Sequence, residues 1–428
     1  MTATAVVDEL AGAGLRGRGG AGFPTGVKWR SILRGGEGTR FAVCNAAEGE
    51  PGTFKDRTLI RANPYQVLEG MLIAARTVDA AGAFVALKAS FEIERQRLAG
   101  ALQEMEQAGW VDGIAMTIVS GPQEYLFGEE KALLEVIEGR DPMPRWLPPY
   151  LHGLFVAAPQ LGWDAHEFVA DALGDEISNP TLVNNAETLA QVTWILANGA
   201  DEFRTVGTEE SPGTIVCTVV GDVVSPGVRE LPMGTTLSEL LDLSGGPYPG
   251  HDIVAVVPGV ANAVIVPDGF DTPLTYEDMQ AIGSGLGAAG FTAYDDTACM
   301  VEVAHTLSRF LSVESCGQCV PCKLGTGQIT RALDRIRVGT GSESDIHVIG
   351  ERLRIVADGS RCYLPTQERN VISSILRMFP DEFAVHLEGR CSVAAREIPT
   401  PKIVDIADGV VTYDSNQEHK RPDWTYRD

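Results

Sequence analysis

Cys316, Cys319 and Cys322 stand three residues apart in the run Ser315-Cys316-Gly317-Gln318-Cys319-Val320-Pro321-Cys322, and Cys362 follows 40 residues after the last of them. A Cys-x₂-Cys-x₂-Cys loop brings three thiolates to three corners of a cubane iron–sulfur cluster, and the fourth iron is held from elsewhere. Zinc competes for such a loop but prefers two separated Cys-x₂-Cys or Cys/His pairs around a small knuckle. Here the third cysteine arrives after only two residues, and His305 lies 11 residues upstream of Cys316. The spacing therefore favours a [4Fe–4S] cluster over zinc. Cys362 is the preferred fourth ligand because it precedes a helix-like run, and Cys391 is the rival. Cys44, Cys217 and Cys299 have no partners at ligand spacing and are expected to be small core residues.

Eight cysteines in 428 residues do not make a disulfide scaffold. Nor does Met1-Thr2-Ala3-Thr4-Ala5 lead into the apolar core of a secretory signal. Lys and Arg total 34 and Asp and Glu 58, so the net charge is −24. So acidic a surface argues against nucleic acid or an anionic membrane as partner. No apolar run approaches the roughly 18–20 residues that cross a bilayer. The reading is a cytoplasmic, acidic electron carrier of two to four domains, without direct membrane insertion.

Periodicity divides the chain. Over the first two hundred residues helix and strand signals alternate. A helix opens at Asn63-Pro64 with Val67, Leu68, Met71 and Leu72 on one face, and a strand runs through Ala83-Phe84-Val85-Ala86-Leu87. Leu98, Leu102 and Met105 mark a helix, 114–119 a strand and 129–138 a further helix. Such alternation predicts an α/β layer. From about Gly207 the order is hairpin (214–220 and 228–231), capped helix (Thr235-Thr236 before Leu237) and strand (253–257), which predicts a β-grasp module. From Thr297 the periodicity is helical, with the cysteine loop between the first two helices. The expected parts are an α/β domain over 1–206, a β-grasp (ubiquitin-like) domain over 207–294, a helical iron–sulfur domain over 295–395 and an extended tail over 396–428.

Gly17-Arg18-Gly19-Gly20-Ala21-Gly22 contains a G-x-G-x-x-G, but helix rather than strand precedes it, so it is no Rossmann fingerprint. Glycines beside Arg18 can still let backbone N–H groups approach a phosphate or a flat ring. This loop belongs to a longer series: Gly14 through Gly26 followed by Lys28-Trp29, Cys44 through Arg57, Tyr125-Leu126-Phe127-Gly128-Glu129-Glu130, and Val183-Asn184-Asn185-Ala186-Glu187-Thr188. In this order, together with the cysteine loop, the series closely resembles the NADH-binding flavoprotein subunit of respiratory complex I. The diaphorase subunits of NAD-linked hydrogenases and formate dehydrogenases belong to the same family.

The resemblance implies an FMN-binding α/β domain, an SLBB-type β-grasp domain and a C-terminal helical-bundle iron–sulfur domain. It implies FMN held by Gly17, Arg18, Gly19, Gly20, Lys28, Asn45, Glu48, Tyr125, Gly128, Glu129, Asn184, Asn185 and Thr188. Lys28 and Arg18 would neutralise phosphate, and the asparagines would serve the isoalloxazine edge. NAD(H) would stack on Phe23, with Glu50 and Glu130 on ribose or carboxamide and Tyr150 on adenine. Such carboxylates repel the extra phosphate of NADPH. The implied reaction is hydride exchange with NAD(H) at FMN and single-electron transfer to the cluster, with no side chain as general acid or base. The family works beside a thioredoxin-like [2Fe–2S] subunit and further redox subunits. The chain is therefore expected in a multi-protein complex, through which it can lie peripheral to a membrane.

Four positions depart from the family pattern. Ala47 replaces an aspartate at the flavin, Ser31 an aromatic, Leu147 a lysine and Tyr150 a phenylalanine. They favour a paralogue in a soluble oxidoreductase complex. The alternative keeps FMN and cluster but has surrendered NADH and takes electrons from a protein or another carrier.

Overall fold

The computed structural model describes residues 1–35, 38–156, 178–391 and 396–427. The chain separates into two compact units, Met1–Gly49 with Lys55–Ile215 and Glu50–Phe54 with Val216–Asp428.

The first unit is built on four parallel strands, β1 (Phe41–Asn45), β2 (Gly82–Lys88), β3 (Ala115–Gly121) and β4 (Thr181–Asn185), in the order β3-β2-β1-β4. Parallel strands need crossovers, and helices at Pro64–Thr77 and Glu92–Gln107 supply them. The first starts where the sequence places it. Asn63 Oδ1 accepts from the Gln66 N–H, Pro64 takes the first helical position, and Val67, Leu68 and Met71 are fully buried. Each such side chain contributes about 1.5–3 kcal/mol. Gly70 admits the neighbouring helix, Ala186–Asn198, because a Cβ there would lie 2.1 Å from the Leu189 carbonyl oxygen.

The sheet order decides where a ligand can enter. The chain winds outward from β1 through β2 to β3, then returns to lay β4 on the other side of β1. The change of direction opens a crevice beyond the carboxyl ends of β1 and β4, the usual ligand position in open α/β sheets. Both strands end in asparagine there, and the register pairs Cys44 with Asn184 and Asn45 with Asn185.

In the second unit, β5 (Thr214–Gly221), β6 (Gly227–Pro232), β7 (Ile253–Pro258) and β8 (Gly290–Asp295) form a sheet in the order β6-β5-β8-β7. β5 runs parallel to β8 and β7 antiparallel to it. The helix Leu237–Leu243 is held at its start by a capping box of Thr236 and Glu239. This is the β-grasp arrangement expected from the order of local signals. Helices at Met300–Glu314, Val320–Arg337, Glu343–Ile355, Leu364–Met378 and Pro380–Leu387 follow.

The C-terminal segment differs from the extended tail expected. β9 (Ile403–Ala407) and β10 (Val410–Tyr413) form an antiparallel hairpin, Ser415–His419 is a turn of 3₁₀ helix, and Lys420 is 1% exposed. Charges in this stretch resemble a solvated run in the sequence because the carboxylate that buries Lys420 lies 106 residues earlier.

Candidate functional site

In the first unit the glycine loop joins two helices, Ala3–Ala13 and Thr25–Arg34, so it is no strand–turn–helix phosphate loop. Gly20 (φ 120°) and Gly22 (φ 61°) take backbone conformations that favour glycine. Gly19 runs so close to β4 that a Cβ would stand 3.1 Å from Asn185 Cβ. The Gly17 N–H donates to the Phe23 carbonyl at 2.9 Å, closing the loop. The Arg18 N–H donates to Thr188 Oγ1 at 2.9 Å, tying it to the helix after β4.

Arg18 departs from its expected phosphate role. Its side chain is buried and donates to the carbonyls of Arg16, Pro212 and Thr214. A guanidinium with five donors in a fixed fork suits such a carbonyl cluster. Lys28 is half-buried and pairs with Glu130 at 2.6 Å, joining an expected flavin residue to an expected nucleotide residue.

The polar groups at the strand ends are held by one another. Asn184 Oδ1 accepts from Trp29 Nε1 at 2.8 Å. Asn45 Nδ2 donates to the Gly128 carbonyl at 2.7 Å, while its Oδ1 accepts from the N–H of Ala47. A Cβ on Gly128 would sit 3.3 Å from the Ala47 carbonyl, so β1 and the Tyr125–Gly128 turn are in close contact. Glu129 caps the helix Glu130–Ile137 through the N–H groups of Lys131 and Ala132. Burial pushes its carboxyl up to about 7, against the lowering effect of Lys131 and those N–H groups. Glu48 accepts from the N–H groups of Lys55, Asp56 and Arg57 at 2.8, 3.2 and 3.2 Å. Burial and the neighbouring Asp56 raise it to about 7.

Asn185 also belongs to a cluster with Lys55, Asp56 and Glu187, three residues to which sequence reasoning assigns no role. Lys55 Nζ contacts Asp56 and Glu187 at 2.8 Å each and Asn185 Oδ1 at 3.2 Å; Asn185 Nδ2 donates to Asp56 at 2.7 Å. Lys55 and Glu187 are both 1% exposed. Burial opposes the Lys55 charge, but Asp56, Glu187 and Glu48 overcome it and hold its pKa above the ordinary lysine value. The available signal was four charged or amide residues crowded into two motifs at strand ends, where a core would be apolar.

The expected nucleotide residues are divided. Phe23 and Tyr150, 52% and 49% exposed, leave their rings open for stacking in the first unit, which also holds Glu130. Glu50 belongs to the second unit, where its carboxylate accepts from the Val260 N–H at 2.7 Å. Of the departing positions, Ala47 is fully buried and Ser31 donates to the Lys28 carbonyl.

The cysteine loop lies between the helices Met300–Glu314 and Val320–Arg337. Cys319 occupies the N-cap of the second, and Cys322 its buried first turn. Gly317 turns the loop at φ 87°. Cys362 precedes the helix Leu364–Met378, as expected, and the adjoining Arg361 N–H points at Cys319 Sγ at 3.4 Å. Gln318 Nε2 donates to Cys316 Sγ at 3.6 Å, and Ser315 Oγ lies 3.3 Å from Cys322 Sγ. Amide N–H groups aimed at sulfur, with a hydroxyl at hydrogen-bond distance, are the surroundings an iron-bound thiolate needs. The donor set therefore fits a cluster. The glycine loop and the strand-end amides fit a flavin, with Arg18 bracing the loop through its N–H to Thr188 and its guanidinium to three carbonyls.

Cys44 and Cys217 are fully buried, as expected of core residues. Cys299 is buried too but is not a purely apolar neighbour, since its Sγ lies 3.1 Å from His386 Nε2.

Family models match three stretches of the chain: the Nuo51 FMN-binding domain over residues 10–194, the SLBB domain over 216–262 and the NADH-ubiquinone oxidoreductase-F iron–sulfur binding region over 302–386. Fold and site thus define an electron-transfer flavoprotein that binds FMN and an iron–sulfur cluster. The F 2 polypeptide of NADH-quinone oxidoreductase from Rhizobium meliloti is 34% identical over 90% of this chain and 89% of its own length. Its F counterpart from Streptomyces coelicolor is 37% identical over 88% and 82%. The HndC polypeptide of the NADP-reducing hydrogenase from Solidesulfovibrio fructosivorans is 32% identical over 91% and 77%. Among solved structures, a chain of an NAD⁺-reducing [NiFe]-hydrogenase in its H₂-reduced state superimposes with a TM-score of 0.79 at 31% identity, over 90% of this chain and 63% of that one. The chain belongs to the family of complex I NADH-binding flavoprotein subunits and hydrogenase diaphorase subunits. Among the described residues no helix is long and apolar enough to cross a membrane.

Proposed function

We propose that this chain is the NADH-oxidising subunit of a multi-subunit redox complex. The observation that carries the reading is the pairing of Asn45 with Asn185 at the switch point of the sheet, with the glycine loop packed against Asn185. The four cysteines Cys316, Cys319, Cys322 and Cys362 would hold the cluster. Bound FMN supplies the conversion between a two-electron hydride and single electrons that a cluster can accept.

The chain's own residues bind and orient. Gly17, Gly19 and Gly20 admit the flavin close to the backbone, the Arg18 N–H braces that loop against Thr188, and Asn45, Asn184 and Asn185, with Tyr125 and Gly128, form the polar wall. Lys28 is the cation for phosphate. Glu48 and Glu129 brace the site, Glu48 through the N–H groups of Lys55, Asp56 and Arg57 and Glu129 through those of Lys131 and Ala132, and burial raises both carboxyls above the ordinary range. The exposed rings of Phe23 and Tyr150 offer stacking faces to the dinucleotide, and the Glu130 carboxylate disfavours a 2′-phosphate. The boundaries at 206, 294 and 395 and a thioredoxin-like [2Fe–2S] neighbour complete the proposal.

Anaerobic optical titration of the FMN- and cluster-loaded protein tests it. Near-stoichiometric NADH should bleach the flavin band and an equal amount of NADPH should not. Bleaching by dithionite alone would refute NADH as donor.

A further inference from the structure

Glu314 ends the helix that leads into the cysteine loop, and its carboxylate is fully buried. Its partners come from the far end of the chain. Lys420 Nζ donates to its two oxygens at 2.9 and 2.8 Å, and Gln417 Nε2 to one of them at 3.0 Å. Both side chains of the ion pair are 0% exposed.

The same stretch is held at further points. Arg309, on the helix that ends in Glu314, donates to the carbonyls of Gln417, Glu418 and Lys420 at 3.1, 2.5 and 3.1 Å. Lys402 donates to Gln417 Oε1 at 3.0 Å. Across the loop, Lys323, the residue after Cys322, donates to the carbonyls of Ser315 and Pro422 at 2.5 Å each. The three cysteines are thus bracketed by residues that grip one continuous stretch. That stretch lies outside every matched family model, the last of which ends at residue 386.

We propose that 417–422 is an intramolecular strap that positions the cluster-binding loop, with Lys420 as its anchoring residue. This rests on the assignment of Cys316, Cys319 and Cys322 to the cluster. A tail kept for docking would leave its charges in water. Burying an ammonium and a carboxylate is tolerable only when their geometry is tight and their remaining valences are satisfied. The pair therefore fixes one register of the strap against the loop. It also places a cation on the residue two positions before the first cysteine, where a change of local charge is felt by any bound cluster.

The test compares the full-length protein with Lys420→Met and with Glu314→Gln/Lys420→Met, which removes the charge that the single variant strands. In cluster-free protein, amide hydrogen exchange over 312–324 should accelerate by roughly a hundredfold to a few thousandfold in the single variant, the range expected from stranding a buried charge. It should recover most of its protection in the double variant. In loaded protein, the single variant should surrender iron to a chelator faster and show a shifted cluster reduction potential and altered EPR signal, at unchanged FMN content. Wild-type exchange in Lys420→Met, or an acceleration spread equally over the whole chain, would overturn the strap. Normal exchange effects with a wild-type chelation rate, potential and EPR signal would overturn its role in positioning the cluster. A wild-type protein that binds no iron would refute the ligand assignment, and the exchange measurement would still decide the strap.

Discussion

Replacing Lys55 by Met removes the cation shared by Asp56 and Glu187 while keeping the length of the side chain. The wild-type ammonium lies 2.8 Å from each carboxylate, with all three groups at most 5% exposed. Breaking one buried pair costs about 3–5 kcal/mol. Glu187, whose carboxyl burial already raises, escapes part of that by taking up a proton. In the variant, the native state then binds a proton that the unfolded chain releases above its ordinary carboxylate pKa. Its stability falls as pH rises, by up to about 1.4 kcal/mol per pH unit for each extra proton held. Lys55→Met should therefore lose about 3–5 kcal/mol at pH 7.5 and recover about 2–3 kcal/mol of it at pH 5.5. Asn185 loses one of its anchors, so FMN affinity should fall as well. Urea unfolding of the flavin-free protein followed by tryptophan fluorescence, which includes the fully buried Trp29, measures the first; quenching of FMN fluorescence measures the second. A loss below about 1 kcal/mol, or one independent of pH, would refute the reasoning that the lysine neutralises two buried acids.

Three further outcomes follow from the site. Cys362→Ala should reduce iron content and abolish the [4Fe–4S] EPR signal, whereas Cys391→Ala should leave both intact; the reverse result would move the fourth ligand to Cys391. Phe23→Ala should raise the KM for NADH by roughly tenfold, the value of about 1–3 kcal/mol for aromatic–base stacking, with FMN content unchanged; an unaltered KM would remove Phe23 from the nucleotide site. Glu129, raised by burial to about 7 from an ordinary 4.5, contributes stability that is present below about 4.5 and lost as pH rises through 7. Glu129→Gln should flatten that decline in flavin-free protein, leaving the similar contribution of Glu48, and an unchanged pH profile would contradict a raised Glu129 carboxyl.

Local signals announced much of the fold because neighbours in sequence settle them. The Asn63-Pro64 start, the Thr235-Thr236 cap and the helical faces of Val67 and Leu98 depend on contacts within one or two turns. The cysteine spacing is of the same kind, since a loop of seven residues has few ways to present three thiols. The short strands β1 and β4 were less visible. Phe41 through Asn45 and Thr181 through Asn185 end in amides that disfavour extended structure, and they are strands because flanking strands pair with them.

The sequence by itself determined the chemistry available: four thiols at ligand spacing, a glycine loop unlike a dinucleotide fingerprint, and an acidic surface. Tertiary structure decided how those groups are used. Only the strand order β3-β2-β1-β4 places Asn45 beside Asn185 at an open switch point. Only folding turns Arg18 inward onto three carbonyls and gathers Lys55, Asp56 and Glu187 around Asn185. Lys420 shows the reason most clearly. Its charge is plain in the sequence, but its meaning depends on a carboxylate 106 residues away, and pairings at that separation are set by packing rather than by any local pattern.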